Sequence, residues 1–307
     1  MLWPRSFFRA LAFRRVIKDA PEGTIFYVRE GLLVFPLTLL SYRFRRNFFY
    51  EMHSFVRHYR FVYKLTCYFA RGVISTSESK TKILVDSFGV SHERILTAPN
   101  VIDPTEFSNM PSQKDARDSL RILSTNPVII FTGRPSALRG INLILELALR
   151  MKDRATFICV GGAQGEIDRL RGKSGFDEVT FIPFVPHKDI MRYMASADIL
   201  IAPQSGHPEF KEVSKHSSPI KVLEYMATGI PSLFSRIPAI EKIVAADEGV
   251  FADPDSVEDW LKKIQYILDH YTDVQKKAII MRDRAIECTW DARAKSIADF
   301  IDRYACK

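Results

Sequence analysis

Residues 127–162, PVIIFTGRPSALRGINLILELALRMKDRATFICVGG, set the reading of the whole chain. VIIFT and TFICV are short, continuously apolar and rich in β-branched and aromatic side chains, whereas INLILELALRM between them spaces its apolar residues as a helix does. A strand, a helix and a strand of these lengths make a βαβ unit, and strands apolar on both faces belong to a parallel sheet covered on both sides. The alternation continues through QGEIDRLRG, VTFIPFV, KDIMRYMAS, ADILIAP, PIKVLEYMATG, IPSLFS and PAIEKIVAA. From residue 128 onward the pattern predicts a doubly wound α/β domain.

Toward the N-terminus the rhythm is less regular. GTIFYV, NFFYEM, GVISTS and ILTAPN read as strands, with FVRHYRFVYKLTCYFA and SESKTKILVDSFG as helices among them, which predicts a smaller α/β domain. FSNMPSQKDARDSL, residues 107–120, is polar and lacks apolar periodicity, so it reads as the linker. Residues 256–304 read as amphipathic helix with no further strand. The expected organisation is a first domain over 1–112, a ligand-binding domain over 113–275 and a terminal helical segment over 276–307.

Composition narrows the function classes. A chain of 307 residues with 47% apolar content suits two cores and argues against disorder. Cys67, Cys159, Cys288 and Cys306 show neither CxxC nor Cys/His spacing, so neither a disulfide framework nor a zinc site is expected, and the cytosol is the expected compartment. The longest apolar run, GLLVFPLTLL, stops after ten residues and contains Pro36, too short to span a bilayer. MLWPRSFFRALAFRRVIK spreads four arginines among its apolar residues without a small-residue cleavage pattern, so it does not read as a signal peptide. The net charge of +8 is concentrated: residues 1–72 hold 13 Lys and Arg against 4 Asp and Glu, leaving 31 against 32 elsewhere. Arginines alternate with aromatics there, and two readings stand, a solvated basic face over buried rings or contact with an anionic membrane surface. No motif accompanies the charge to favour nucleic acid.

In open α/β sheets, ligands bind beyond the C-terminal ends of the strands. After VIIFT, Gly133 is followed by Arg134 and Arg139, two cations suited to a diphosphate, although taken alone they read first as two exposed loop arginines. Gly161 and Gly162 follow TFICV and permit close backbone approach to a ligand. FIPFVPHKD holds Val185 in a proline-stiffened loop able to offer backbone groups to a flat base. Before VLEYMATG, Ser218 suits an N-cap and Pro219 the first helical position, so the helix start points free N–H groups at an anion. Glu224 sits about 9 Å along that helix, the span from a phosphate to a ribose diol. The plain alternative is a surface ion pair between Lys221 and Glu224.

Taken in order, GRPSALRG, VGG, FVPHKDIMRYMASADILIAP and SSPIKVLEYMATGIPSLFS resemble the glycosyltransferases of family 4, retaining enzymes of the two-domain GT-B fold that use nucleotide-sugar donors. The resemblance implies an α/β, GT-B-like pair of Rossmann-type domains, the first incomplete, with a last helix, TWDARAKSIADFI, returning to it. It implies that Arg134 and Arg139 hold the donor diphosphate, that Glu224 binds the ribose, and that Ser217 and Ser218 form the phosphate-binding turn, with Gly133, Gly162 and Val185 on the donor side. His216 stands eight residues before Glu224, where the family has a glutamate that touches the sugar hydroxyls. His53, after FFYEM, falls where a site histidine faces the sugar or the acceptor.

The implied function is retaining transfer of a hexose-type sugar from a nucleotide sugar to a glycan or lipid-linked acceptor, in cell-surface glycan or glycolipid synthesis. Neither cofactor nor metal is expected, nucleic acid is not an expected partner, and the expected place is the cytoplasm with peripheral contact to the inner membrane face. The alternative is a non-catalytic nucleotide-sugar- or glycan-binding relative, which His216 and the shortened first domain would favour.

Overall fold

A computed structural model describes residues 3–53, 57–210 and 220–305. The chain divides into two compact units, Met1–Asn100 with Asp291–Lys307, and Val101–Trp290.

The first unit holds a four-stranded parallel sheet in the order β1 (Phe26–Val28), β2 (Phe48–Met52), β3 (Gly72–Ser75) and β4 (Ile95–Thr97). Side chains alternate across a strand, so β2 serves two cores at once. Phe48, Tyr50 and Met52 join the cluster that includes Phe44, Tyr63 and Cys67. Phe49 faces the other way and packs with Ile74, Ala98 and Phe300. Phe300 belongs to the last helix, Trp290–Ala305, which covers that second face. The helices α1 (Trp3–Asp19), α2 (Gly31–Leu40), α3 (Tyr42–Arg46), α4 (Arg60–Phe69) and α5 (Glu78–Asp86) complete the unit. GLLVFPLTLL is α2, a buried core helix, and among the described residues no helix is long and apolar enough to cross a membrane.

The second unit carries a six-stranded parallel sheet in the order β10-β9-β8-β5-β6-β7, formed by β5 (Val128–Thr132), β6 (Thr156–Val160), β7 (Val179–Ile182), β8 (Ile199–Ala202), β9 (Ser232–Ser235) and β10 (Val250–Ala252). The alternating sides of β5 supply separate layers, Val128 and Ile130 to one and Ile129 and Phe131 to the other. Helices α6 (Thr105–Ser108), α7 (Gln113–Leu120), α8 (Ile141–Met151), α9 (Gln164–Asp168), α10 (His187–Ala195), α11 (Ile220–Thr228), α12 (Pro238–Glu241), α13 (Val257–Asp269) and α14 (Tyr271–Ala285) cover it.

Two features differ from the sequence-based expectation. The polar stretch expected as a linker contains α7, capped by Ser112, and its residues belong to the second unit. Gln113 Nε2 donates to the Ala197 carbonyl at 2.9 Å, and Arg117 pairs with Asp198 at 2.6 Å. Only Ala116 of α7 is buried, so the helix is held by polar contacts and shows no apolar stripe. The compact units also divide at 100/101 and 290/291 because Ile102 and Phe107 enter the second core and α14 packs there through Ala278, Met281 and Ala285. Ile102 bridges Thr289, so the two ends of the second unit's chain lie side by side.

Candidate functional site

In the second unit, strand succession runs from β5 outward through β6 and β7, then returns to β8 on the other side. Loops leaving β5 and β8 therefore diverge, which opens a crevice at the C-terminal ends of the strands. A cavity of about 490 Å³ lies there, with Thr132, Gly133, Arg139, Gln204, Lys221 and Glu224 in its wall.

The β5 loop builds its floor. Gly133 has φ +125°, a value that side-chain-bearing residues rarely adopt, and its N–H donates to the Val160 carbonyl at 2.7 Å. A Cβ at Gly133 would come within 3.0 Å of Arg139 Nη1 and 3.1 Å of Lys221 Nζ. Glycine thus leaves room for two cations to converge beside the strand end. Arg139 ends a short 3-10 turn, Ala137–Arg139, which Gly140 closes before α8 begins.

Helix α11 supplies the opposite wall. Tyr225 turns inward, is fully buried, and its hydroxyl accepts from the Thr132 N–H at 2.8 Å, locking α11 to β5. One residue earlier on the helix, Glu224 faces the cavity. Burial raises its carboxyl above the usual range, Glu106 adds to the rise, and His187 and Lys221 oppose it. His187 Nε2 stands 3.3 Å from Glu106 and 3.8 Å from Glu224.

Lys221 was expected at most as Glu224's surface partner. Instead its ammonium lies 3.7 Å from the centroid of the Phe131 ring, a cation–π contact inside the cavity wall. Burial and then the Arg139 guanidinium pull the Lys221 ammonium well below its ordinary range, against the pull of Glu224. Two cations and one half-buried carboxylate line one crevice, which leaves a positive potential where a diphosphate would sit.

Other expected residues lie around this centre. Arg134, next to Gly133, is largely exposed and is not among the cavity-lining residues; its Nε donates to Glu166 Oε1 at 3.0 Å, while Glu166 Oε2 also accepts from the Ala163 N–H. Gly162 has φ +88°, and a Cβ there would stand 2.5 Å from Pro135 Cδ, so glycine lets the β5 and β6 loops meet. Gly162 also accepts from the Phe184 N–H at 2.8 Å, and Val185 packs half-buried against the core. His216, Ser217 and Ser218 lie outside the described residues.

His53 belongs to the first unit, directly after β2. Its Nε2 donates to the buried Glu51, which also accepts from the Tyr27 hydroxyl and from Arg293 Nη2 at 2.8 Å. Burial alone would raise the Glu51 carboxyl, but the His53 hydrogen bond and the Arg293 charge outweigh it and hold the carboxyl below the usual range. The signal for Glu51 was present in the sequence as a lone charge in FFYEM, an otherwise apolar strand.

Residues 126–270 match the family described as Glycosyl transferases group 1. The chain is similar to a D-inositol 3-phosphate glycosyltransferase of Xylanimonas cellulosilytica, 23% identical over 240 residues that cover 74% of this chain and 55% of that protein. It is also 24% identical over 214 residues to the N,N'-diacetylbacillosaminyl-diphospho-undecaprenol alpha-1,3-N-acetylgalactosaminyltransferase of Campylobacter jejuni, covering 68% of this chain and 54% of that one. The chain spans about half the length of the curated relatives it matches. Among solved structures it resembles sucrose-phosphate synthase from Thermosynechococcus elongatus, with a TM-score of 0.79, 18% identity, and coverage of 97% of this chain and 78% of that one. Anabaena HepE in complex with UDP gives a TM-score of 0.76 at 18% identity, covering 94% and 81%. The chain therefore has the α/β fold of the GT-B glycosyltransferases, and its residues 126–270 match the group 1 glycosyl transferases.

Proposed function

We propose that this protein transfers a sugar from a nucleoside diphosphate sugar to a hydroxyl acceptor with retention at the anomeric carbon. The observation that carries the reading is the switch-point cavity, which brings Arg139 and Lys221 to one strand end with Glu224 on the same helix face. The paired cations meet the diphosphate, Glu224 accepts hydrogen bonds from the ribose diol, and the backbone around Val185 meets the base. Arg134 joins the diphosphate once its pair with Glu166 opens. Solved HepE complexes with UDP and with UDP-glucose have the same fold, which supports a nucleotide sugar as the ligand class.

In the reaction, the bond from the anomeric carbon to the diphosphate oxygen breaks as the acceptor oxygen bonds to that carbon from the same face. The acceptor proton passes to the departing phosphate oxygen. Arg139 and Lys221 stabilise the charge that grows on the leaving group, the role a metal ion would otherwise serve. His53 orients a hydroxyl of the sugar or the acceptor.

The acceptor in this reading is a glycan or a lipid-linked sugar, as the printed name of the Campylobacter relative suggests by analogy. Exposed apolar side chains and cations alternate on the first unit: Phe8 and Val16 with Arg9 and Arg15 on α1, and Phe61 and Tyr68 with Lys64 on α4. Such a surface suits the interface of an anionic bilayer. The protein then works peripherally on the cytoplasmic face of the membrane. Co-sedimentation with anionic but not zwitterionic vesicles at low salt supports that placement, and its absence removes it.

The test of the function is a transfer assay with UDP-, GDP- and other nucleotide sugars against a panel of glycosyl and polyprenyl-diphosphate-linked acceptors. Released nucleoside diphosphate and an α-linked product from an α-donor are expected, with activity retained in EDTA. Donor binding without hydrolysis or transfer to any acceptor would contradict catalysis and leave a binding protein.

A further inference from the structure

The first unit ends its sheet in a polar network around His53. Glu51 is 2% exposed and lies on β2, with His53 two positions later. Three donors meet its carboxylate: the Tyr27 hydroxyl from β1, Arg293 Nη2 from the last helix at 2.8 Å, and His53 Nε2. Lys80, buried at the start of α5, donates to Thr76 Oγ1 at 2.6 Å and adds a positive charge that attracts Glu51.

The second nitrogen of the ring, Nδ1, stands 3.2 Å from Arg29 Nη2. A guanidinium can only donate, so Nδ1 must accept. An ionised carboxylate can only accept, so Nε2 must carry the hydrogen. The two partners leave one arrangement for the ring, and it is the neutral Nε2–H tautomer. An imidazolium would set an Nδ1–H against the Arg29 cation.

We propose that Glu51 is a positioning residue that holds His53 as the Nε2–H tautomer, so that the ring offers substrate a hydrogen-bond acceptor, Nδ1, whose single lone pair a substrate hydroxyl takes over from Arg29. The inference rests on reading His53 as a site residue of the transfer reaction. An acceptor nitrogen orients a hydroxyl of the transferred sugar by taking its O–H, which leaves the proton of the attacking hydroxyl to pass to the departing phosphate oxygen. The opposite tautomer would donate to the sugar oxygen and turn its hydrogen away from the ring. Arg293 and Tyr27 keep the carboxylate in place, and Arg293 and Lys80 supply the charge that favours its ionised form.

The test is the 15N shift pattern of the His53 ring in the full chain at pH 7.5, assigned by its loss in His53→Asn. A pyrrole-type Nε2 with a pyridine-type Nδ1 is expected; the reverse tautomer, or an imidazolium, overturns the proposal. Glu51→Gln, which keeps the size and one acceptor oxygen, is expected to move the ring toward a mixture of tautomers. In that variant kcat should fall by about tenfold while the donor KM changes by less than about threefold. Arg293→Met, which removes a Glu51 partner without touching the imidazole, is expected to keep the wild-type tautomer. A Glu51→Gln protein with wild-type tautomer and kcat would make Glu51 purely structural. Because the spectrum reads the ring without any turnover, a protein that shows the expected tautomer but transfers no sugar contradicts the proposed function and not the positioning.

Discussion

The two parallel sheets treat the C-terminal ends of their strands in opposite ways. In the first unit the polar groups are closed on themselves: Glu51 gathers Tyr27, His53 and Arg293, and its charge is met inside the protein. In the second unit Arg139 and Lys221 converge beside Gly133, with Glu224 alone among the cavity-lining residues to offset them. A closed network stabilises and orients, because every charge already has its partner. An unbalanced one costs stability and is retained where an anion completes it, since like charges held in a half-buried crevice raise the energy of the empty site.

The comparison breaks most visibly at Glu51. Glu51→Ala leaves Arg293 as a nearly buried cation without this partner, and a loss of about 3 kcal/mol in unfolding free energy is expected in urea titration. Arg139→Ala, by contrast, is expected to leave folding unchanged or slightly improved. The same change should weaken nucleoside diphosphate binding by roughly thirtyfold, the scale of a charge-assisted contact.

Lys221 gives a pH signature with a definite sign. Its ammonium is depressed in the empty site, and an arriving diphosphate favours the charged form. Binding above the depressed value is therefore expected to take up a proton, seen as a buffer-dependent binding enthalpy that Lys221→Met abolishes. Binding without buffer dependence would show that Lys221 does not meet the diphosphate. Glu166→Ala tests Arg134: with its partner removed, the guanidinium is free to turn to the ligand, and a gain in nucleotide affinity of about threefold is expected.

The smallest effect is at Lys80, whose ammonium burial pushes down to about 8. Between pH 8 and its ordinary range near 10.5 the unfolded chain binds a proton that the folded protein does not, so the residue's cost to stability shrinks as pH rises. Lys80→Met is expected to raise stability by about 1 kcal/mol at pH 7, with the gain fading toward pH 10.

Much of the fold was legible because buried parallel strands write themselves as continuous apolar runs and their helices as stripes. Helix α7 was not, since its contacts through Gln113 and Arg117 to Asp198 are polar and leave only Ala116 buried. Strand β10 did not register, because its three residues stand between Glu248-Gly249 and Asp253 with no longer apolar run around them. In the site, Gly133, Arg139 and Glu224 could be placed by their spacing after a strand and along a helix. Lys221 could not, because helical spacing puts it beside Glu224 but says nothing of Phe131 on a strand 90 residues earlier. The same limit hid the Glu51 network: the lone charge in FFYEM was visible, but Arg293 lies 242 residues away in sequence.

The account stands most directly on calorimetric titration of nucleoside diphosphates and their sugars into the full-length protein, the Arg139→Ala variant and the Glu224→Ala variant. One nucleoside diphosphate is expected to bind stoichiometrically to the wild type, with both variants weakened by tenfold or more and the Glu224 variant weakened for the nucleotide but not for inorganic diphosphate. If no nucleoside diphosphate binds, or if binding is untouched by both substitutions, the cavity between β5 and β8 is not a donor site and the assigned function falls with it.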